Sequence, residues 1–185
     1  MRIIAGRHRG RRLEAPTGQR MRPTASRLRE SLFNILAHHP DFSLASARVA
    51  DLFAGTGALG LEALSRGAVF VTFVDHHPAS AALLLRNIGM LGETTRSKIV
   101  TSDATRLPRA TEACDLIFAD PPYDKGLIPL AAADLVDKGW VKSGALLVAE
   151  ARAGEVIDLP KVWQELTRRR QGEGQIVIFR YKPEA

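Results

Sequence analysis

The sequence reads DLFAGTGALG from Asp51 to Gly60, where an apolar run predicted to be a buried strand gives way to a predicted helix. Glycine allows a tight turn and close approach of a ligand to the backbone, and the N-terminus of a helix offers unpaired N–H groups to an anion. Gly55, Gly57 and Gly60 match the dinucleotide pattern G-x-G-x-x-G, which is a weak signal by itself. The stretch therefore predicts a nucleotide-type site and leaves a nicotinamide-dependent enzyme open.

The sequence around this loop alternates between β-type and helical patterns, which is typical of a parallel α/β sheet. Predicted strands cover residues 49–54, 69–74, 98–102, 115–119 and 145–149, with helices at 59–66, 79–91 and 127–138 between them. Residues 163–169 and 175–181 predict a closing antiparallel hairpin. We expect a three-layer, doubly wound, mostly parallel Rossmann-like sheet with a final antiparallel strand over residues 41–185. Residues 1–40 are predicted to form a basic extension, a hairpin and a helix, packed on this main domain.

Four acidic residues stand at or just beyond the ends of successive predicted strands: Asp51, Asp75, Asp103 and Asp120. In an open parallel sheet these ends share the edge at which ligands bind. Asp75, in the second strand, suits the two hydroxyls of a ribose, whereas Asp103 also fits a helix N-cap. His76 and His77 beside Asp75 are predicted to line the ribose and adenine edge or to face solvent, and no metal site is expected.

The tetrapeptide Asp120-Pro121-Pro122-Tyr123 follows a predicted strand directly. Two prolines stiffen the loop and remove backbone donors, leaving the Asp120 carboxylate and the Pro121 carbonyl as fixed acceptors. Acceptors without donors suit an amino group that is about to be methylated, and Tyr123 offers a face on which an extruded base could stack. We predict Asp120, Pro121, Pro122 and Tyr123 as catalytic residues.

These motifs together resemble the class I S-adenosylmethionine-dependent methyltransferases. The N-terminal part, from Ile3 to Leu13, then Arg22-Pro23-Thr24 and the segment 27–36, is similar to the bacterial RsmD-type family, which methylates N2 of a guanine in small-subunit (16S) ribosomal RNA. The resemblance implies that the glycine loop lies under the methionine part of the cofactor, Asp75 holds its ribose and Asp103 approaches its adenine. The cofactor-binding residues expected on this basis are Asp51, Phe53, Gly55, Thr56, Gly57, Gly60, Asp75, His76, Asp103 and Ala104.

Charge is concentrated at the N-terminus of the 185-residue chain, where residues 1–30 contain nine arginines and two acidic residues. Arginine suits bidentate phosphate contacts and stacking on bases, so this segment predicts binding to RNA rather than to a membrane. The expected RNA-binding residues are Arg7, Arg9, Arg11, Arg12, Arg22 and Arg27. The single cysteine excludes a disulfide framework, no apolar run is long enough to span a membrane, and no apolar stretch follows the basic start as in a secretory signal.

We therefore expect a cytoplasmic, monomeric enzyme that transfers a methyl group from S-adenosylmethionine, without a metal, to a guanine N2 of small-subunit ribosomal RNA, naked or in an assembled particle. S-adenosylhomocysteine would be the other product. Four alternatives stay open: methylation of adenine N6 in RNA or DNA, methylation of a protein glutamine amide, an NAD(P)-dependent oxidoreductase, and an RNA-binding module that retains an inactive methyltransferase fold.

Overall fold

The computed structural model describes residues 1–16 and 23–183. Four α-helices are present in this part of the chain: α1 (Pro23–Ala37), α2 (Ala58–Ser65), α3 (Pro78–Leu91) and α4 (Leu127–Asp137). Seven strands form one sheet: β1 (Arg48–Leu52), β2 (Phe70–Asp75), β3 (Ser97–Thr101), β4 (Cys114–Ala119), β5 (Val141–Arg152), β6 (Trp163–Gln171) and β7 (Gly174–Tyr181). The predicted elements are all present, and β5 extends beyond residues 145–149 at both ends. Val141 pairs with Cys114 of β4, and the other end pairs with β7 as far as Arg152.

The strand order is β3-β2-β1-β4-β5-β7-β6. Strands β1 to β5 pair in parallel, and β7 runs antiparallel between β5 and β6. The mostly parallel sheet with a final antiparallel strand is thereby confirmed. Because the order reverses between β1 and β4, the carboxyl ends of these two strands flank the crevice in which such sheets bind ligands.

Both faces of the sheet are covered, which gives the predicted three layers. Alternate residues of each strand point to opposite faces: Leu116 and Phe118 pack with α1, α2 and α3, whereas Ile117 packs with α4. Burial of apolar side chains on both faces is what the near-continuous apolar runs of the parallel strands indicate. None of the helices in the described part of the chain has the length and apolar character that a membrane span requires.

Residues 2–13 form an N-terminal hairpin that packs on α2. The hairpin is closed by the bridge between Arg2 and Arg12, and Ile3 and Leu13 are buried in the same core as α1 to α3. Its backbone is held by Glu62, a fully buried carboxylate of α2 that accepts hydrogen bonds from the N–H groups of Ile4 at 2.7 Å and Ala5 at 3.0 Å. The hairpin is therefore anchored to the sheet domain through both apolar and polar contacts.

Candidate active site

The glycine loop between β1 and α2 makes a tight turn at the carboxyl edge of the sheet. Phe53 and Gly55 have positive φ angles of 58° and 53°, and Gly57 adopts 77° at the start of α2. A Cβ atom on Gly57 would lie 2.3 Å from the Leu84 side chain, and one on Gly60 would lie 2.3 Å from the Phe73 ring. Packing thus requires glycine at these two positions, whereas Gly55 has open space where a ligand could approach.

Asp51 supports this loop from below. Its carboxylate is buried and accepts a hydrogen bond from Gly60 N–H at 2.9 Å, which fixes the first turn of α2. Burial raises the pKa of Asp51 to about 7, and the nearby charge of Asp75 acts in the same direction while the Gly60 bond opposes it. With such a pKa, the protonated and ionised forms of this carboxyl are both populated near neutral pH.

Asp75, the last residue of β2, connects the loop to the neighbouring strand end. One carboxylate oxygen accepts a hydrogen bond from Gly55 N–H and the other from His77 N–H, each at 2.8 Å. Asp75 and His76 both line the cleft described below, beside Gly55. The predicted ribose acceptor is therefore pre-positioned by two backbone donors.

A cleft runs along this edge of the sheet and consists of two adjoining cavities that share Phe53, Gly55 and Asp120. The first has a volume of about 660 Å³, which lies within the ~300–1,000 Å³ typical of ligand pockets. It is bounded by the glycine loop, by α3, and by the residues that flank the N-terminal hairpin on both sides. Its lining includes Met1, Glu14, Ala15, Pro16, Asp51, Thr56, Leu83 and Arg86.

The second cavity, of about 950 Å³, contains the predicted catalytic tetrapeptide. Pro121, Pro122 and Tyr123 line it together with Glu150 at the end of β5, and Tyr123 Oη donates a hydrogen bond to Glu150 Oε1 at 3.0 Å. Solvent reaches Asp120 through the cleft, yet desolvation by the surrounding protein and the negative charges of Glu150 and Asp51 raise the pKa of its carboxyl well above the ordinary value. Desolvation also raises the pKa of Glu150, against the effect of the Tyr123 bond.

Asp103 and Ala104 lie outside the linings of both cavities. The Asp103 carboxylate accepts hydrogen bonds from the backbone N–H and the hydroxyl of Thr105, each at 2.8 Å, and these bonds lower its pKa. Asp103 therefore closes a local turn after β3, and no helix begins there, so its alternative interpretation as a helix N-cap is wrong. Ala104 is buried. Their predicted role beside the adenine stays a prediction.

The turn of the N-terminal hairpin packs against the C-terminal ends of α2 and α3, where Arg7 N–H donates to the Ser65 carbonyl and His8 contacts Glu93. Arg7, Arg9 and Arg12 are exposed, and within residues 1–16 and 23–183 their side chains have no hydrogen-bond or ion-pair partner, whereas Arg11 donates to the Met90 carbonyl. Arg27 is exposed on α1, and Arg22 lies outside the described residues. No cluster of three or more potential metal ligands occurs in the same part of the chain.

Asn87 of α3 has no predicted role, yet it joins the hairpin segment to the glycine loop. Its buried side chain accepts a hydrogen bond from Glu14 N–H at 2.8 Å and donates to the carbonyls of Glu14 and Thr56 at 3.1 and 3.0 Å. A single amide within the apolar run 82–91 was the available signal, because a buried amide needs partners. Glu150 was also detectable, since it follows a predicted strand as the four aspartates do.

Comparison with known proteins identifies full-length relatives. Residues 1–180 match the model of the family described as "Conserved hypothetical protein 95". The chain is 35% identical over 187 residues to "Ribosomal RNA small subunit methyltransferase D" of Escherichia coli strain K12, a match that covers 100% of this chain and 91% of the relative.

Solved structures agree with this result. The Escherichia coli protein yhhF superposes with a TM-score of 0.84 at 30% identity, covering 100% of this chain and 99% of that one. The N-methyltransferase NodS from Bradyrhizobium japonicum WM9, in complex with S-adenosyl-L-homocysteine, gives a TM-score of 0.68 at 17% identity over 92% of this chain and 93% of that chain, which is a likeness of fold.

Proposed function

Because the chain belongs to the Conserved hypothetical protein 95 family, the RsmD family, and is a ribosomal RNA methyltransferase, we propose that it methylates the exocyclic N2 of a guanine in small-subunit 16S ribosomal RNA. S-adenosylmethionine is the methyl donor in this proposal. The observation that carries it is the position of Asp120, which lines both the cavity under the glycine loop and the cavity of the Asp-Pro-Pro-Tyr loop.

The first cavity has features that fit S-adenosylmethionine, which supplies an electrophilic methyl group on a positively charged sulfur. Gly55 leaves open space at the loop, and the carboxyl groups of Asp51 and Asp120 line the same cavity and complement a cation. Asp75 stands at the junction with its carboxylate oriented by two backbone N–H groups. We assign the ribose to Asp75 and the methionine part to the glycine loop.

The second cavity suits a base that has left its stack. The Asp120 carboxylate and the Pro121 carbonyl each accept one hydrogen of the amino group, which favours the pyramidal nitrogen and aims its lone pair at the methyl carbon. The methylated nitrogen carries one proton too many, which passes to Asp120 or to water. The ring of Tyr123, fixed by its bond to Glu150, offers a stacking surface.

A methylation assay tests the proposal directly. The protein is incubated with methyl-labelled S-adenosylmethionine and small-subunit ribosomal RNA, naked and in particles that lack the modification, and the RNA is digested to nucleosides. We expect label in N2-methylguanosine. Label in N6-methyladenosine would replace guanine by adenine, and an absence of label in RNA would direct the search to protein amides.

The variant Asp120→Ala separates catalysis from cofactor binding. We expect its turnover to fall at least ~10³-fold because the amino group loses one of its two acceptors. Its thermal stabilisation by S-adenosylhomocysteine should stay close to that of the wild type, since Asp75 and the glycine loop are intact. Loss of that stabilisation would contradict the division of roles between the two cavities.

A further inference from the structure

Glu150 is a carboxylate of the cleft to which the tetrapeptide motif assigns no function. It lies near the carboxyl end of β5, where Val148 and Ala149 pair with Phe118 and Ala119 of β4, one residue before Asp120. This register places Glu150 beside the catalytic loop, and its side chain lines the same cavity as Asp120, Pro121 and Tyr123. The cavity thus contains a second acidic acceptor near the group that holds the amine.

Within the described part of the chain, one of the two carboxylate oxygens of Glu150 has a hydrogen-bond partner. Its Oε1 accepts the hydrogen bond from Tyr123 Oη at 3.0 Å, and no other hydrogen bond or ion pair reaches it from residues 1–16 and 23–183. The residue is half-buried and lies with Asp120 in the lining of one cavity, on the strand that pairs with the strand before Asp120. Its negative charge also acts to raise the pKa of Asp120. One oxygen is therefore fixed by Tyr123, and the other keeps its capacity to accept a hydrogen bond from a ligand in the cleft.

The two purines differ in what they offer to such a pair of acceptors. Guanine carries its amino group next to an N1–H, so its Watson–Crick edge presents donors side by side, whereas adenine places its amino group next to an unprotonated N1. A carboxylate accepts hydrogen bonds and cannot donate one when ionised. A carboxylate placed beside N1 therefore accepts a hydrogen bond from the N1–H of guanine and repels the lone pair on N1 of adenine.

We propose that Glu150 accepts the N1–H of the target guanine and so selects guanine over adenine, while Tyr123 holds it in position. This inference rests on the proposed function and names the residue that determines which base the enzyme methylates. Sites built to hydrogen-bond a substrate group discriminate strongly against analogues that lack it, because the buried partner is then left unpaired.

The base 2-aminopurine tests the contact, because it keeps the amino group of guanine but has an acceptor at N1. The methylated position is first mapped with wild-type protein, and the RNA is then rebuilt with guanine or 2-aminopurine there. We expect the wild type to prefer guanine by at least ~100-fold in kcat/KM. In Glu150→Gln the side-chain amide can donate to N1 of 2-aminopurine, so the preference should fall below ~10-fold.

Glu173→Gln serves as the matched control, because Glu173 lines the same cavity and the change removes one negative charge there while the Glu150 carboxylate is kept. Its guanine preference should equal that of the wild type. Equal use of both bases by the wild type, or an equal loss on both bases in Glu150→Gln, would overturn the inference while leaving guanine methylation in place. Label in N6-methyladenosine during the mapping step would overturn the inference and the proposed function together.

Discussion

At the scale of single residues, the acidic cluster of the cleft determines how activity responds to pH. Asp120 must be ionised to accept a hydrogen from the amino group, and its pKa is raised by desolvation and by the charges of Glu150 and Asp51. We therefore expect kcat/KM to rise with pH along an acid limb centred well above ~3.9, the pKa of an ordinary aspartate. The other titratable or charged residues that line this cavity are Asp75, His76, His77, Tyr123, Arg152 and Glu173.

The variant Glu150→Gln should move this acid limb to lower pH, because Glu150 is the negatively charged residue that raises the pKa of Asp120 most. The measurement is kcat/KM for the guanine substrate between about pH 5 and 9 in both proteins. Glu173→Gln is again the control. An acid limb that stays at the same pH in Glu150→Gln would show that the two carboxyl groups do not interact during catalysis.

Asp51 gives a prediction about stability. Its pKa in the folded protein is raised to about 7, so the folded state binds more protons than the unfolded state between ~3.9 and about 7. The contribution of Asp51 to stability therefore falls as pH rises through this window. The side-chain amide in Asp51→Asn keeps an oxygen for Gly60 N–H without this cost, and the Tm of the variant relative to the wild type should increase from pH 5 to pH 8. A difference in Tm that is constant over this range would contradict the raised pKa.

At the scale of elements, the N-terminal hairpin positions the residues on both sides of it, Met1 and Glu14 to Pro16, which line the first cavity. Gly6, with φ at 81°, packs so closely on α2 that a Cβ atom would lie 1.9 Å from the Ser65 carbonyl oxygen. Gly10 has the same φ, but a Cβ atom added there would have no neighbouring atom within 4 Å. We expect Gly6→Ala to lower the free energy of unfolding by about 1–3 kcal/mol more than Gly10→Ala, since both share the backbone strain and only Gly6 adds the clash.

The same pair of variants tests whether the hairpin contributes to cofactor binding. Displacement of the hairpin in Gly6→Ala would move Met1 and Glu14 away from the first cavity and break the contacts of Asn87. The thermal stabilisation by S-adenosylhomocysteine should then be smaller than in Gly10→Ala, measured as the shift in Tm at a fixed ligand concentration. Equal shifts in both variants would show that the cavity functions without a docked hairpin.

The elements that could be predicted from the sequence are those with local signals. Strands and helices follow from apolar periodicity, and the strand-end acids follow from the rule that parallel strands share one ligand edge. The packing of the hairpin on the main domain was expected, but the contacts that hold it could not be predicted, because Glu62 and Asn87 contact backbone groups 57 to 73 residues away. The need for glycine at positions 57 and 60 on packing grounds could not be predicted either, since it depends on Leu84 and Phe73 in other elements.

At the scale of the whole molecule, positive charge is segregated from the acidic cleft. The net charge of the chain is +6, and residues 1–30 contribute nine arginines against two acidic residues, so the remainder is close to neutral. Arginines outside an acidic pocket can attract the phosphate backbone, while the pocket itself is left to the base, which offers hydrogen-bond donors. Such a distribution favours a substrate whose backbone is anionic and whose base enters the cleft.

The salt dependence of RNA binding tests this division of charge. Replacing Arg7, Arg9 and Arg12 together by Gln should weaken binding to small-subunit ribosomal RNA and flatten the slope of log K against log salt by about 0.7–0.9 for each arginine–phosphate interaction that is removed. These side chains have no partner in the described part of the chain, so the fold should not depend on them. The control is a triple variant that changes the net charge equally by replacing exposed cations elsewhere: Lys98→Gln, Arg109→Gln and Lys161→Gln. Similar slopes for the two triple variants would show that net charge, rather than the hairpin, attracts the RNA.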